Sequence, residues 1–368
     1  MQTFKKTTKI KDMSPLLQDV LTEDAAMFDI ETTGFAKDKT SLYLIGAGRR
    51  IGDEYEITQF FADNSSEEKA VLVGFLSYLA EYEIKTLISF NGLGFDVPYL
   101  NFKLKKFEVD ADLMNFKQVD IFKLVLSEKH LFSLENYKQK TIEKFLGLKR
   151  EDKYGGGELI PIYKGYEASR NEEMLKLLLL HNYEDVLGML DIIPALSYVY
   201  DLRDFTGRHA PEHELKVSED ALDFAFKLKY PVPVHLSSSR EGISFSILED
   251  EAQLHLPLKS ANMKFYYADY QNYYYLPAED IAIHKSIGEF MDKNSRIKAT
   301  RQTAFGRCEG KFVQGFGLSD FIHFYDETGN AFPKQAACYL FDEELIEIFD
   351  DKEKLPLFVR GALDYVLS

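Results

Sequence analysis

The chain has 368 residues with 44 basic and 60 acidic side chains, a net charge of −16, and 45% hydrophobic and 28% charged content. That balance excludes a disordered chain, argues against coating nucleic acid through bulk positive charge, and leaves room for two packed domains. No apolar run approaches the roughly 20 residues of a membrane span, no apolar segment follows the basic start MQTFKKTTKIKDM, and Cys308 and Cys338 form no CxxC pair, so a cytoplasmic protein with reduced thiols and no membrane partner is expected.

Residues 1–23 read as an N-terminal extension. The apolar run Ala25–Ile30 predicts a buried strand, followed by strands over Leu42–Gly48 and Glu54–Phe61 about a Gly52-Asp53 turn. Helical spacing covers Glu67–Tyr82, with Asn64, Ser65 or Ser66 as cap. A buried strand at Thr86–Phe90, a helix over Phe95–Phe107 and a strand at Phe116–Ile121 come next. A helix capped by Ser133 is predicted to run to Leu146 and stop at Gly147. Past a glycine-rich loop at Gly155–Gly157, a long helix covers Asn171–Leu190 and continues toward Tyr200. This order predicts an α/β domain over 24–205, a mixed five-stranded sheet flanked by helices. From about Pro211 a smaller α+β domain (211–368) is expected. Its strands are read at Ile243–Leu248, Gln253–Leu258, Lys264–Tyr267 and Tyr273–Leu276. A helix at Ile281–Met291 would be capped by Asp280, and a hairpin would turn at Glu309-Gly310. Helices at Asp342–Phe349 and Pro356–Val366 complete it.

Three segments carry chemistry. In Phe28-Asp29-Ile30-Glu31-Thr32-Thr33-Gly34, period-two geometry puts Asp29 and Glu31 on one face of a strand end, an arrangement best tolerated around a cation. In Phe90-Asn91-Gly92-Leu93-Gly94-Phe95-Asp96, a glycine-rich turn leads Asp96 to a helix start, where it also serves the helix N-terminus. In His181-Asn182-Tyr183-Glu184-Asp185, His181 and Asp185 share a helix face and Tyr183 points away. Asp120 reads as a helix cap or an accessory site residue, and Phe35 and Phe95 as aromatic neighbours of the motifs.

Taken together, FDIETTG, FNGLGFD and HNYEDV resemble the three exonuclease motifs of the DEDD superfamily. The likeness covers roughly residues 24–200 and is greatest to bacterial YprB-type ribonuclease-H-like proteins, more distant to the proofreading domains of family B DNA polymerases. It implies a ribonuclease-H-like fold, metal-binding carboxylates at Asp29, Glu31, Asp96 and Asp185, and two Mg²⁺ or Mn²⁺ ions. The implied activity is 3′–5′ exonuclease hydrolysis of nucleic acid from a single-stranded 3′ end, with His181 taking the proton of the attacking water. One branch of the superfamily carries Tyr four residues before the last Asp and the other His five residues before it. Here His stands at four, about 40° off register rather than 140°, so it still faces the site.

Thr32, Gly34, Phe35 and Asn91 adjoin the motifs as candidate substrate contacts. Between Lys285 and Lys311, seven basic residues oppose three acidic ones, a local +4 interleaved with aromatics. Lys298, Arg301 and Arg307 are therefore candidate strand-guiding residues, against a solvated mixed-charge surface. Two other function classes fit the same residues: a nuclease-like binding module without catalysis, and a structure-selective endonuclease.

Overall fold

The apolar run at residues 25–30 becomes the middle of a six-stranded mixed sheet. The computed structural model describes residues 1–149, 156–204, 213–326 and 337–368 and divides into two compact units, Met1–Tyr200 with Val232–Val234, and Asp201–Pro231 with His235–Ser368. The expected boundary near Pro211 lies outside the described residues.

The first unit contains β1 (Gln2–Lys9), α1 (Pro15–Val20), β2 (Ala25–Thr32), β3 (Leu42–Ile51), β4 (Glu54–Phe61), α2 (Glu68–Glu81), β5 (Thr86–Ser89), α3 (Asp96–Lys106) and β6 (Lys117–Asp120). Helices α4 (Ile121–Ser127), α5 (Lys129–Phe132), α6 (Gln139–Phe145), α7 (Gly156–Ser169) and α8 (Glu172–Asp191) follow, and the unit ends within α9 (Leu196–Asp204). The sheet order is β1-β4-β3-β2-β5-β6, antiparallel from β1 to β2 and parallel from β2 to β6. Phe28 and Ile30 turn into a core shared with Val71 and Phe75 of α2, Leu100 of α3 and Tyr163 of α7. Helix α8 lies against β2 and β3, on the strand face that carries the odd-numbered residues of β2.

Four features depart from the sequence expectation. Gln2–Lys9, read as an extension, pairs along its whole length with β4 and makes a sixth strand. Its Lys- and Thr-rich composition suits a protected sheet edge and hides it from hydrophobic periodicity. Ser133 does not start a helix: with φ 47° it ends α5, and α6 begins only at Gln139, after Asn136 has taken the Lys138 N–H. Helix α7 begins at Gly156, so two of the glycines read as a loop, Gly156 and Gly157, open a helix that also contains Pro161. The helix toward Tyr200 breaks at a 3₁₀ turn containing Pro194. Gly155 and the rest of 150–155 lie outside the described residues.

The second unit is β-rich. Its strands are β7 (His213–Val217), β8 (Ala221–Arg240), β9 (Ile243–Pro257), β10 (Lys259–Tyr266), β11 (Tyr273–Leu276) and β12 (Ile281–His284), then short α10 (Lys285–Gly288). They continue with β13 (Ile297–Lys298), β14 (Phe305–Gln314), β15 (Phe324–Tyr325) and β16 (Cys338–Leu340), ending in α11 (Glu343–Phe349) and α12 (Lys354–Leu367). They form two three-stranded sheets, β7-β8-β9 and β12-β11-β13, and a closed barrel β10-β14-β16-β15. The long strand β8 was not anticipated, because Pro231 and Pro233 interrupt its alternating pattern. Ile281–His284 is a strand paired with β11 instead of a helix, and Asp280 sits in the turn with φ 51°. The Glu309-Gly310 hairpin does not form, and β14 runs straight through. A Cβ on Gly310 would stand 2.7 Å from Leu340 Cδ1, so the glycine serves close strand packing, not a turn. The helices capped at Asp342 and covering residues 356–366 are present as expected.

A buried ion pair fixes the loop that follows β2. Lys103 Nζ, fully buried, meets Glu68 Oε1 at 2.7 Å and donates to the Thr40 carbonyl, while the same Glu68 oxygen accepts the Leu42 N–H at 2.8 Å. Thr40 Oγ1 in turn donates to the Gly34 carbonyl at 3.0 Å. Lys103→Met is expected to cost about 3–5 kcal/mol in urea unfolding, because it strands the Glu68 charge. The Lys103→Met/Glu68→Gln pair should recover part of that loss, and equal losses in the single and double variants would refute the coupling.

Candidate metal centre

Strand β2 presents Asp29 and Glu31 on one face, and a register shift against β3 between Glu31 and Thr32 ends regular pairing there. Glu31 is buried. From β5 the chain turns through Asn91, held at φ 62°, and enters α3 at Asp96, whose Oδ1 accepts the Ile30 N–H at 3.3 Å. Helix α8 supplies His181 and Asp185 one turn apart. His181 Nε2 lies 3.2 Å from Asp185 Oδ2 and 3.4 Å from Glu31 Oε1, and one donor atom from each of these three residues falls within 4.8 Å of the others. Tyr183 points elsewhere, beneath Lys6 Nζ at 4.1 Å from its ring centre.

The electrostatics follow from crowding. The Asp29 carboxyl is pushed well above its usual range, first by burial and then by Asp185, Glu31 and Asp96. Asp96 is pushed up to about 7, chiefly by burial, although the backbone N–H groups of Asp96 and Ile30 oppose the rise. Oxygen donors forced together in a partly dry cleft fit a hard divalent cation, which would remove the repulsion that protons otherwise relieve.

The cleft has a volume of about 620 Å³ and is lined by Asp29, Glu31, His181 and Asp185 together with Thr32, Gly34, Phe35, Asn91 and Phe95. Phe35 is 87% exposed and meets Phe95 edge-on at 5.7 Å. Asp120 caps α4 through Lys123 N–H at 3.2 Å and also accepts from Asn91 N–H at 3.0 Å and Leu93 N–H at 3.1 Å. It holds the Asn91 turn as well as its own helix. Lys298, Arg301 and Arg307 belong to the second unit. Lys298 is exposed opposite Tyr274, and Arg301 lies 5.6 Å from the Tyr270 ring centre. Arg307 is engaged by Asp280, through the backbone carbonyl at 2.7 Å and through the carboxylate.

Three residues that sequence reading passed over position Asp29. Asn182 Nδ2 donates to Asp29 Oδ2 at 3.0 Å, and Gln59 Nε2 of β4 donates to Asn182 Oδ1 at 2.9 Å and to the Leu179 carbonyl at 2.9 Å. Because its oxygen is taken by Gln59, Asn182 can only turn its NH₂ toward Asp29. Gly46 of β3 makes the room: a Cβ there would lie 2.2 Å from Asn182 Oδ1. The signals were a lone Gln inside the apolar run Ile57–Phe61 and a glycine inside a buried strand. Lys138, Gln139 and Lys140 around the start of α6 also reach the cleft wall, and Gln139 Nε2 donates to the Asp185 carbonyl at 3.0 Å. Gly46→Ala should weaken divalent-ion binding at least about 10-fold by calorimetry, the lower end for loss of an orienting partner. Unchanged affinity in a folded variant would show that Asn182 does not position Asp29.

Residues 26–197, which hold every one of these α8 and sheet residues, match the model of the RNase_H superfamily. The first unit carries a ribonuclease H superfamily domain. The chain is 26% identical over 174 residues to the uncharacterised protein YprB of Bacillus subtilis (strain 168), covering 46% of this chain and 41% of that one. Among solved structures it is similar to the family B DNA polymerase of the archaeon Pyrobaculum calidifontis, with a TM-score of 0.41, 13% identity, and coverage of 93% of this chain and 46% of that one. The chain thus spans less than half the length of these relatives. The ribonuclease-H-like expectation for the first unit holds, with six strands in place of five. Among the described residues no helix is long and apolar enough to cross a membrane, and Cys308 and Cys338 are both free thiols.

Proposed function

We propose that the ribonuclease H superfamily domain is a divalent-metal-dependent 3′–5′ exonuclease. The observation that carries this reading is the convergence of Asp29, Glu31 and Asp185 with His181 at one cleft, with Asp96 raising the proton affinity of Asp29 beside them. Asp29, Glu31, Asp96 and Asp185 would hold two Mg²⁺ or Mn²⁺ ions. Those ions supply an activated water and stabilise the leaving 3′-oxygen. Asn182 keeps an Asp29 oxygen oriented, and the Lys103–Glu68 clamp fixes the loop that presents Gly34 and Phe35. Phe35 is exposed at the cleft and offers a face for stacking a terminal base of a single strand. Thr32 and Asn91 line the same wall, and Lys138 and Lys140 bring positive charge to it.

Incubation with 5′- and 3′-labelled single strands of DNA and RNA, with Mn²⁺ or with EDTA, tests the reading. Stepwise shortening from the 3′ end that requires the metal is expected. Internal cuts would replace it with an endonuclease, and binding without any cleavage with a recognition module.

The second unit adds a candidate strand-guiding surface. With Arg307 engaged by Asp280, Lys298 and Arg301 remain its outward arms, beside the aromatic rings of Tyr270 and Tyr274. The Lys298→Ala/Arg301→Ala variant should weaken single-strand binding uniformly across sequences and lower the salt dependence by about two phosphate contacts' worth. An unchanged salt slope would make the surface structural.

A further inference from the structure

We infer that His181 is a nitrogen ligand of the metal centre, placing a mixed site of His181 Nε2, Glu31 Oε1 and Asp185 Oδ2 that selects a first-row transition ion of the Mn²⁺ class over Mg²⁺. This rests on the metal-dependent reading above and gives His181 a different task from the proton acceptor that its place in the sequence suggests.

The two separations from Nε2 are those of neighbouring donors in one coordination shell, and the three donor atoms all lie within 4.8 Å of one another. Donors at about 2.0–2.2 Å from one ion stand about 3.0 Å apart at right angles and about 3.5 Å apart at tetrahedral angles. Nε2 lies 3.2 Å from the Asp185 oxygen and 3.4 Å from the Glu31 oxygen, both within that interval. His181 is also 4% exposed and seated on a helix face, so its ring has little freedom to swing outward. The four-residue spacing to Asp185 accounts for the placement, since it stacks Nε2 directly over the helical carboxylate.

A nitrogen donor changes the metal preference. Carboxylates alone accept Mg²⁺, whereas imidazole favours later divalent ions. The experiment is electron spin echo envelope modulation of the full chain loaded with substoichiometric Mn²⁺ in excess Mg²⁺. A directly coordinated ¹⁴N signal is expected, converting to the ¹⁵N pattern when histidine is ¹⁵N-labelled and vanishing in His181→Gln. The same variant should reduce the Mn²⁺ over Mg²⁺ preference about 10-fold or more. Mn²⁺ bound without nitrogen coupling in the unmodified chain overturns this inference and leaves the carboxylate centre standing. No Mn²⁺ binding that Asp185→Asn removes overturns the metal-dependent reading itself. The isotope comparison needs no substitution, so it decides the matter even where His181→Gln fails to fold.

Discussion

Asp29→Asn is expected to abolish cleavage while raising the melting temperature of the metal-free protein. The two effects have one cause. In the folded chain the Asp29 carboxyl is buried and surrounded by Asp185, Glu31 and Asp96, so its ionised form is costly. An amide of the same shape removes that cost and keeps an oxygen able to accept the Asn182 N–H. It also removes the charge that a divalent ion would neutralise. Loss of a preorganised electrostatic contact of this kind corresponds to about 3–4 kcal/mol of barrier, a rate reduced by about 10²–10³-fold or more. Asp185→Asn should behave alike in activity. Thermal melts in EDTA and in Mn²⁺, run beside the labelled-strand assay, read both halves. Mn²⁺ should raise the melting temperature of the unmodified chain by more than that of the Asp29→Asn variant. A variant that loses activity and also loses stability in EDTA would mean that Asp29 supports the fold, contrary to the electrostatic account.

The contrast between what was legible and what was not follows a physical line. Asp29 and Glu31 were readable because a strand repeats every two residues, and His181 and Asp185 because a helix repeats every 3.6; both are local rules. Asp96 needed the glycine turn before it. What could not be read is what depends on contacts across the fold. Asn182 means nothing until Gln59 and Gly46, from two other strands, are seen to hold it. The Lys103–Glu68 pair is equally silent in sequence, since a lysine in a helix is ordinarily solvated. Strand β1 was missed because an edge strand need not be apolar, and β14 was split because Gly310 mimics a turn while serving a close approach to Leu340. In the second unit, the aromatic run Tyr273–Leu276 marked β11 and helical spacing marked the two C-terminal helices, but the 20-residue β8 was not read. Its prolines are tolerated by a strand that periodicity rules would have ended.

Between pH 4 and pH 7 the metal-free protein should become less stable, and added Mn²⁺ should matter most at the upper end. Asp96 carries its proton up to about pH 7 in the folded chain, against an ordinary value of 3.8. A carboxyl whose folded value is raised contributes stability that is fully present below 3.8 and is lost as pH rises through 7. The difference is worth on the order of 4 kcal/mol at full effect, and Asp29 shifts in the same direction. Carboxylates held below their usual range elsewhere act in the opposite sense and at lower pH. The Tyr275 hydroxyl does this for Asp280, and the Glu353 and Lys354 backbone N–H groups for Asp351. Their contribution is already complete above about pH 4, so the loss at higher pH belongs to the cleft. A divalent ion competes with the protons of Asp96 and Asp29, so its stabilising effect should be small at pH 5 and large at pH 8. Denaturant melts at pH 5, 6, 7 and 8, in EDTA and in Mn²⁺, trace both curves. Asp96→Asn, which keeps an acceptor for the Ile30 N–H, should flatten the EDTA curve. If the unmodified protein in EDTA gains stability from pH 5 to pH 8, or if the curve of the Asp96→Asn variant falls as steeply as the original, then the crowded carboxylates do not carry the strain that draws a metal to the cleft.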